Sequence, residues 1–165
     1  MLHVESIADG PGTSDRFAAV AAALLREGMR VRFRAHGRSM RPLIHDGDEL
    51  VLEPCAPEDV RAGTVLFHLN AAGRPTAHRV LRVTRGRGGL TFLLRGDAAV
   101  AVCEEVGPSQ VLGRAVTRIR GEREQRLNTP WRRLVGLAWA CLQSARSWTA
   151  RALGRVGRKA KRAQR

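Results

Sequence analysis

Between residues 37 and 52 the chain reads Gly37-Arg38-Ser39-Met40-Arg41-Pro42-Leu43-Ile44-His45-Asp46-Gly47-Asp48-Glu49-Leu50-Val51-Leu52. A β-type run, Val31-Arg32-Phe33-Arg34, precedes this stretch, and the turn signal Asp46-Gly47 opens a second apolar run. The pattern predicts that Ser39 is presented at a bend between two strands. A lone serine of this kind is usually an ordinary polar loop residue, so a functional role for Ser39 depends on evidence from the rest of the chain.

The middle of the chain alternates short β-type runs with turn residues. Strands are predicted near residues 30–36, 48–53, 63–69, 76–84, 90–95 and 111–119. Six short strands without long intervening helices predict a mainly β, antiparallel domain of the sandwich or barrel type.

Helices are predicted on both sides of this β domain. Thr13 or Ser14 caps an alanine-rich segment that runs through Arg26 and ends near Gly28. The predicted organisation is therefore a lead-in and N-terminal helix over residues 1–28, the β domain over 29–121, and a basic amphipathic helix with a cationic tail over 122–165.

The predicted C-terminal helix begins at Asn128-Thr129-Pro130, where proline suits the first helical turn. Its apolar residues recur at helical spacing: Trp131, Leu134, Ala138, Cys141 or Leu142, Ala145 and Trp148. Tryptophans on the apolar side of a basic helix suit a membrane interface. Docking of the helix on the β domain is the alternative, and the sequence leaves both open.

Positive charge is concentrated at the C-terminal end. The 165 residues carry a formal net charge of +14, from 29 Lys or Arg and 15 Asp or Glu. The segment from Arg126 to Arg165 holds 11 of the basic residues and none of the acidic ones, so residues 1–125 hold 18 and 15, or +3. A cationic tail predicts an anionic partner, either a membrane surface or nucleic acid.

Cysteine usage and the N-terminus bear on the compartment. Cys55, Cys103 and Cys141 have neither metal-type spacing nor even pairing, which favours a reducing compartment. The first residues lack the basic and apolar regions of a signal peptide. No apolar run reaches the ~20 residues that a transmembrane helix needs. We therefore expect the protein in the cytoplasm or at the inner membrane face.

A nucleophilic serine needs an adjacent base, commonly histidine or lysine. The two lysines, Lys159 and Lys161, lie in the cationic tail, which excludes a Ser-Lys pair within the β domain. Of the five histidines, His78 stands out because it begins a strongly β-type run. Asp97 follows an apolar strand and a glycine, where it is either a turn former or the acceptor for the imidazole of a catalytic histidine.

Six motifs in order carry a family resemblance. They are Gly37-x-Ser39-Met40-x-Pro42, Gly47-Asp48-x-x-Val51, Gly63-Thr64-Val65-Leu66-Phe67, His78-Arg79-Val80, Arg95-Gly96-Asp97 and Val111-Leu112-Gly113-Arg114-Ala115-Val116. This set resembles the type I signal peptidase and LexA-like serine peptidase superfamily. It is most similar to the archaeal and endoplasmic-reticulum branch, in which the base is histidine instead of lysine. The resemblance covers roughly residues 30 to 120.

The resemblance implies a role for each matching residue. Ser39 would be the nucleophile, with its backbone N–H in an oxyanion hole, and His78 would be the general base. Asp97 would orient His78 or support the site. Met40 and Pro42 would shape the substrate groove and the serine bend. Neither a metal nor an organic cofactor is implied.

The chain departs from the family pattern at three places. Some members carry a second aspartate where this chain has Cys103, so either the adjacent Glu104 replaces it or Asp97 serves alone. Gly37 stands where certain bacterial members place a hydroxyl, which leaves only backbone donors for the oxyanion. The usual N-terminal transmembrane anchor is missing, and the helix that begins near Trp131 would offer a weaker, peripheral attachment.

The predicted function is a serine endopeptidase that cleaves a leader or signal-like peptide through an acyl-enzyme. The substrate would lie as an extended strand against a sheet edge, with small residues before the scissile bond. Because removal of ordinary signal peptides occurs on the outer face, a cytoplasmic location favours trimming a leader from a modified peptide.

Two alternatives remain at this stage. One is a LexA-type, DNA-associated regulator, but 28 N-terminal residues are too few for a helix-turn-helix module, and the lysine of such self-cleaving domains is absent. Nucleic acid is therefore the less favoured partner. The other alternative is a catalytically inactive peptide-binding relative, which Cys103 keeps open.

Overall fold

The computed structural model describes residues 2–3, 13–99 and 102–143. Helix α1 spans Thr13–Arg26, and residues 130–143 belong to a C-terminal helix, α2. The strands are β1 (Leu2–His3), β2 (Val31–Arg34), β3 (Glu49–Glu53), β4 (Val65–Leu69), β5 (Pro75–Gly86), β6 (Gly89–Arg95), β7 (Glu104–Val106), β8 (Val111–Arg120) and β9 (Arg123–Arg126). Short 3-10 turns lie at Pro57–Asp59 and Pro108–Gln110.

All nine strands belong to one sheet, in the order β1-β2-β3-β8-β4-β5-β6-β7, with β9 also paired to β8. Strands β2 to β9 pair antiparallel, and the two-residue β1 pairs parallel with β2. The long β8 holds β3 along one edge and, along the other, first β4 and then β9. The predicted mainly β, antiparallel fold with a helix at each end is confirmed, and the sheet formed by the described strands is not closed.

Each of the six predicted strands has a counterpart in the structure, whereas the short strands β1, β7 and β9 were not predicted. Strand β9 reads Arg-Glu-Gln-Arg and has no apolar residue to mark it as β. It forms because the turn at Gly121 folds it back onto the end of β8. The sheet thus continues past the predicted domain boundary at residue 121.

Strand β4 separates two apolar clusters. Val65 and Phe67 pack into one cluster, with α1 and the segment after β2, while Leu66 packs into the other. Successive strand residues point to opposite faces, which explains this division. The second cluster is completed by Val60, Val80, Phe92, Leu94 and Val106. The same alternation puts His68 on the Leu66 side of the sheet.

Helix α2 docks on the β domain through Gly136, Trp139 and Ala140. Ala140 is buried, and the indole N–H of Trp139 donates to the backbone carbonyl of Asp97 at 3.2 Å. Arg95 donates to the carbonyl of Ala140. A Cβ on Gly136 would lie 2.3 Å from the guanidinium carbon of Arg79, so only glycine permits this approach.

The apolar stripe predicted from the sequence lies on another face of α2 and is exposed. Trp131 is 72 % exposed, and Leu134, Ala138, Cys141 and Leu142 are exposed as well. The last members of the predicted stripe, Ala145 and Trp148, lie outside the described residues. None of the helices in the described ranges has the length and apolar character needed to cross a membrane.

Candidate active site

Ser39 lies in a turn that is tied down at its base. The backbone N–H of Ala35 donates to the carbonyl of Asp48 at 2.7 Å, and that of Gly47 donates to the carbonyl of Ala35 at 2.8 Å. The buried carboxylate of Asp48 accepts two hydrogen bonds from Arg120 of β8, at 2.6 and 2.7 Å. These bonds hold the serine loop, residues 35–48, against the sheet.

The serine loop also packs against the end of β6. The backbone N–H of Ala98 donates to the carbonyl of Ser39 at 2.8 Å. A Cβ on Gly96 would lie 2.6 Å from the same carbonyl oxygen and 3.1 Å from the Ser39 Cβ. Gly96 therefore permits a backbone approach that any larger residue would block. The Gly-Asp motif and Ser39 are direct neighbours.

Ser39 is exposed in a cleft of about 310 Å³. The cleft lies between residues 33–35, at the end of β2 and just after it, and the first residues of β5. Its apolar lining includes Phe33, Met40, Ile44, Leu50, Phe67 and Ala77. Met40, which the family resemblance assigns to the substrate groove, lines this cleft. Pro42 is exposed, follows a cis peptide bond and is not among the lining residues.

His78 follows Ala77 of the cleft wall and faces Glu104. Its Nδ1 lies 3.8 Å from Oε2 of Glu104. The other carboxylate oxygen, Oε1, accepts a hydrogen bond of 3.0 Å from the backbone N–H of Ala71. A carboxylate on the Nδ1 side of an imidazole leaves Nε2 for proton exchange.

A second histidine, His68, lies beside this pair. It is fully buried, its ring centre is 5.7 Å from that of His78, and its Nε2 lies 4.0 Å from Oε2 of Glu104. The register explains the contact: His78 is opposite Leu66 and His68 is opposite Thr76, so both imidazoles lie on one face of β4 and β5.

Burial sets the protonation of both histidines. It lowers the pKa of His68, and it is also the main reason that the pKa of His78 is lowered. His68 lowers the pKa of His78 further, while the nearby carboxylates of Glu104 and Asp97 act in the opposite direction. A lowered pKa keeps the imidazole of His78 neutral at neutral pH, which is the form that a general base requires.

Asp97 is engaged by an arginine. Both of its carboxylate oxygens accept hydrogen bonds from Arg79, at 2.7 and 2.6 Å. The side chain of Arg79 is fully buried, that of Asp97 is 2 % exposed, and Arg79 also donates to the carbonyl of Gly63 at 2.8 Å. Because His78 and Arg79 are consecutive strand residues, their side chains leave opposite faces of β5. This geometry makes Glu104, and not Asp97, the carboxylate that faces the Nδ1 of His78.

The structure therefore brings together Ser39, Gly96 and Asp97 on one side, and His78, His68 and Glu104 on the other. None of the hydrogen bonds among the described residues joins Ser39 to His78. The two groups lie on opposite faces of the start of β5, because Ala77, which lines the cleft of Ser39, and His78 are consecutive strand residues.

Sequence reasoning missed four contributors to this region. No role was predicted for Arg79, which belongs to the motif His78-Arg79-Val80, or for His68. His36 and His45 line the cleft with Ser39, and Nδ1 of His36 lies 3.8 Å from Asp46. The sequence does not single out Arg79, because β5 also contains Arg82 and Arg85, and only the structure shows that Arg79 is the buried one.

The sequence was also compared with known proteins. No protein-family model matches the chain, and no curated protein matches it.

Proposed function

We propose that the protein is a serine endopeptidase of the signal-peptidase type, in which Ser39 attacks the peptide carbonyl and His78 accepts its proton. The observation that carries the proposal is that Ser39 is exposed in an apolar cleft and its backbone packs against the Gly-Asp motif at the end of β6. Glu104 faces Nδ1 of His78 and would stabilise the imidazolium that forms during attack. Because the side chain of His78 leaves the face of β5 opposite to Ala77, this mechanism requires His78 to turn toward the cleft. The proposal includes the identification of the β domain with the barrel-like peptidase domain of that family.

Glu104 takes the carboxylate role in this mechanism. Its Oε2 faces Nδ1 of His78 at 3.8 Å, while the backbone N–H of Ala71 holds its other oxygen in place. Asp97 supports the site by anchoring Arg79 and by placing Ala98 against the carbonyl of Ser39. The backbone N–H of Ser39 is the proposed oxyanion donor.

The shape of the cleft supports an extended peptide as the substrate. Strand β6 pairs with β5 only from Arg79 onward, so the β5 segment 75–78 leaves one edge without β6. The opposite wall is formed by the end of β2 and the residue after it, from Phe33 to Ala35. A leader or signal-like peptide lying between these walls would bind by strand addition, with its side chains in the apolar floor.

The test is cleavage of a library of precursor peptides, read by mass spectrometry. Ser39→Ala is expected to abolish cleavage, and His78→Ala to lower kcat by about 10²-fold or more. Ser109→Ala removes an exposed serine on the second 3-10 turn and should cleave like the wild type. Equal cleavage by the Ser39 variant would refute the proposal.

His36 and His45 allow a sharper test of the base, because both line the cleft. Replacing either one by alanine is expected to change KM more than kcat. A loss of kcat confined to one of them, with His78→Ala unaffected, would assign the base elsewhere. Absence of cleavage in the folded wild type with every precursor would favour the inactive peptide-binding relative.

We also propose that α2 rests on an anionic membrane surface, at the inner face. The apolar residues Trp131, Leu134, Val135 and Leu142 are 72, 61, 48 and 52 % exposed. The segment from Arg126 to Arg165 adds 11 positive charges and no negative ones. Burial of an apolar helix face, combined with attraction to anionic lipids, is the basis of interfacial binding.

Vesicle sedimentation at low salt tests this attachment. We expect binding to phosphatidylcholine vesicles that contain phosphatidylserine, weaker binding to phosphatidylcholine alone, and loss of binding in the double variant Trp131→Ser with Leu134→Ser. Val20→Ser on α1 is the matched control, since Val20 is 48 % exposed. Binding to nucleic acid but not to vesicles would contradict the assignment.

A further inference from the structure

Three side chains from three strands converge beside the proposed catalytic pair. They are His68 of β4, His78 of β5 and Glu104 of β7. Their potential ligand atoms lie within 4.8 Å of one another. Oε2 of Glu104 is the common point, at 4.0 Å from Nε2 of His68 and 3.8 Å from Nδ1 of His78.

The nitrogens of this cluster lack hydrogen-bond partners. Both ring nitrogens of His68 and the Nδ1 of His78 are buried and make no hydrogen bond with the described part of the chain. The separations from Glu104 are too long for hydrogen bonds, whose upper limit is about 3.2 Å for N–H···O. Unpaired buried polar groups of this kind are expected to be satisfied by a ligand, since nearly all such groups in proteins have a partner.

Glu104 is oriented as a ligand would need. The backbone N–H of Ala71 holds Oε1, which leaves Oε2 directed at both imidazoles. Hydrogen bonds to the second oxygen of a ligating carboxylate are a regular feature of metal sites.

We propose that His68, His78 and Glu104 bind a transition-metal dication, with Zn²⁺ as the best match. Two histidines and one glutamate are a known ligand set for zinc, with a fourth position left open. Ligand bonds of 2.0–2.2 Å in a tetrahedral site place the ligand atoms about 3.4 Å apart. The two separations from Glu104 are 3.8 and 4.0 Å and every pair lies within 4.8 Å, so metal binding requires the ligand atoms to move closer together by up to about 1.4 Å. The sequence did not predict a metal.

Metal binding would inhibit the proposed peptidase, a consequence that rests on the proposed function. A neutral imidazole that binds metal through Nδ1 carries its proton on Nε2. Nε2 of His78 then has no lone pair to accept the proton of Ser39. Without metal, Nδ1 can carry the proton, which leaves the Nε2 lone pair free to accept the proton of Ser39.

Metal affinity is measured on the full chain by competition with a chromophoric chelator for Zn²⁺, and by the visible absorption of bound Co²⁺. His68→Gln and Glu104→Gln are each expected to weaken Zn²⁺ binding by at least about tenfold. His36→Gln and Cys103→Ser are matched controls, since they remove a histidine and a thiol outside the cluster, and both should bind Zn²⁺ like the wild type. Circular dichroism establishes that each variant is folded.

The outcomes separate this inference from the proposed function. Unchanged Zn²⁺ affinity in both His68→Gln and Glu104→Gln, or equal losses in His36→Gln or Cys103→Ser, would overturn the metal site. Zn²⁺ binding that depends on His68 in a protein with no Ser39-dependent cleavage would uphold the site and refute the peptidase. Zn²⁺ that binds at the cluster and leaves Ser39-dependent cleavage unaffected would overturn the inhibitory role.

Discussion

Replacing Asp97 by asparagine tests the buried ion pair beneath the candidate site. The substitution keeps the shape of the side chain but removes the charge that faces Arg79, whose side chain is fully buried. Breaking a buried pair by removing one partner costs about 3–5 kcal/mol, because the remaining charge cannot reach water. We expect the free energy of unfolding to fall by that amount.

Asp48→Asn is the matched control for this substitution. Asp48 is 3 % exposed and also accepts two hydrogen bonds from one arginine, but the side chain of Arg120 is 41 % exposed. Arg120 can be rehydrated when the pair is broken, so the loss is limited to hydrogen bonds with charged partners, about 1.5–3 kcal/mol. The two substitutions should therefore differ in the loss of unfolding free energy because the two arginines differ in exposure, and not because the geometry of the pairs differs.

Urea unfolding followed by tryptophan fluorescence measures both effects. Trp139 is a suitable reporter because its indole donates to the carbonyl of Asp97. A loss of about 3–5 kcal/mol corresponds to a midpoint shift of about 1–5 M urea for slopes typical of small proteins. If Asp97→Asn costs no more than Asp48→Asn, the reasoning about burial is refuted.

A double variant keeps this prediction testable if Asp97→Asn does not fold. Arg79→Met combined with Asp97→Leu replaces both charges by apolar side chains of similar size. Buried ion pairs replaced in this way are often neutral or stabilised relative to the native pair. We therefore expect the double variant to be more stable than Asp97→Asn, and a double variant that is less stable would contradict the explanation.

Three further predictions follow from the same contacts. Gly136→Ala should weaken the docking of α2, which is measured as faster proteolysis of that helix. Overpacking against the buried guanidinium of Arg79 costs about 1–3 kcal/mol, whereas the higher helix propensity of alanine offsets only about 1 kcal/mol of that cost. Gly88→Ala, where a Cβ meets nothing within 4 Å, should leave proteolysis unchanged. Burial, the largest influence, raises the pKa of Asp48, but hydrogen bonds from Arg120 and the His45 N–H outweigh it and lower the pKa below its ordinary value. Because the folded pKa is the lower one, this stabilisation is present above about pH 4 and is lost as the pH falls through the folded pKa, so wild type and Asp48→Asn should converge in unfolding free energy in acid. Glu104→Gln should lower the kcat of peptide cleavage by about 10²-fold or more, while Glu105→Gln on the exposed side of β7 should not, and equal effects would remove Glu104 from the mechanism.

Local patterns were sufficient for most of the secondary structure. Alternating apolar residues and Gly or Asp turns located six strands, and the alanine-rich segment up to Arg26 located α1. Strand β9 was not predicted because its four polar residues acquire β structure only by pairing with β8. The exposed stripe on α2 was identified correctly as a stripe, but the sequence did not reveal that Gly136 and Ala140 make the contact with the sheet.

The candidate site was predictable in part. The serine bend was predicted from the turn residues between two β-type runs, and Met40, which the family resemblance assigns to the substrate groove, lines the cleft. The sequence could not choose between Asp97 and Glu104, because the choice depends on which face of β5 each carboxylate approaches. His68 carries no distinguishing signal, since its neighbour His78 lies ten positions away and the two meet only through the β4–β5 register.

The sequence by itself determined where strands, turns and helices form and which serine lies at a bend, because these depend on the chemistry of adjacent residues. The tertiary structure alone decided the partners. It joined Arg79 to Asp97, turned His78 toward Glu104 and His68, and set Gly96 against Ser39. The physical reason is that strand register and face assign each side chain to its surroundings, and both are settled by pairing between segments that are distant along the chain.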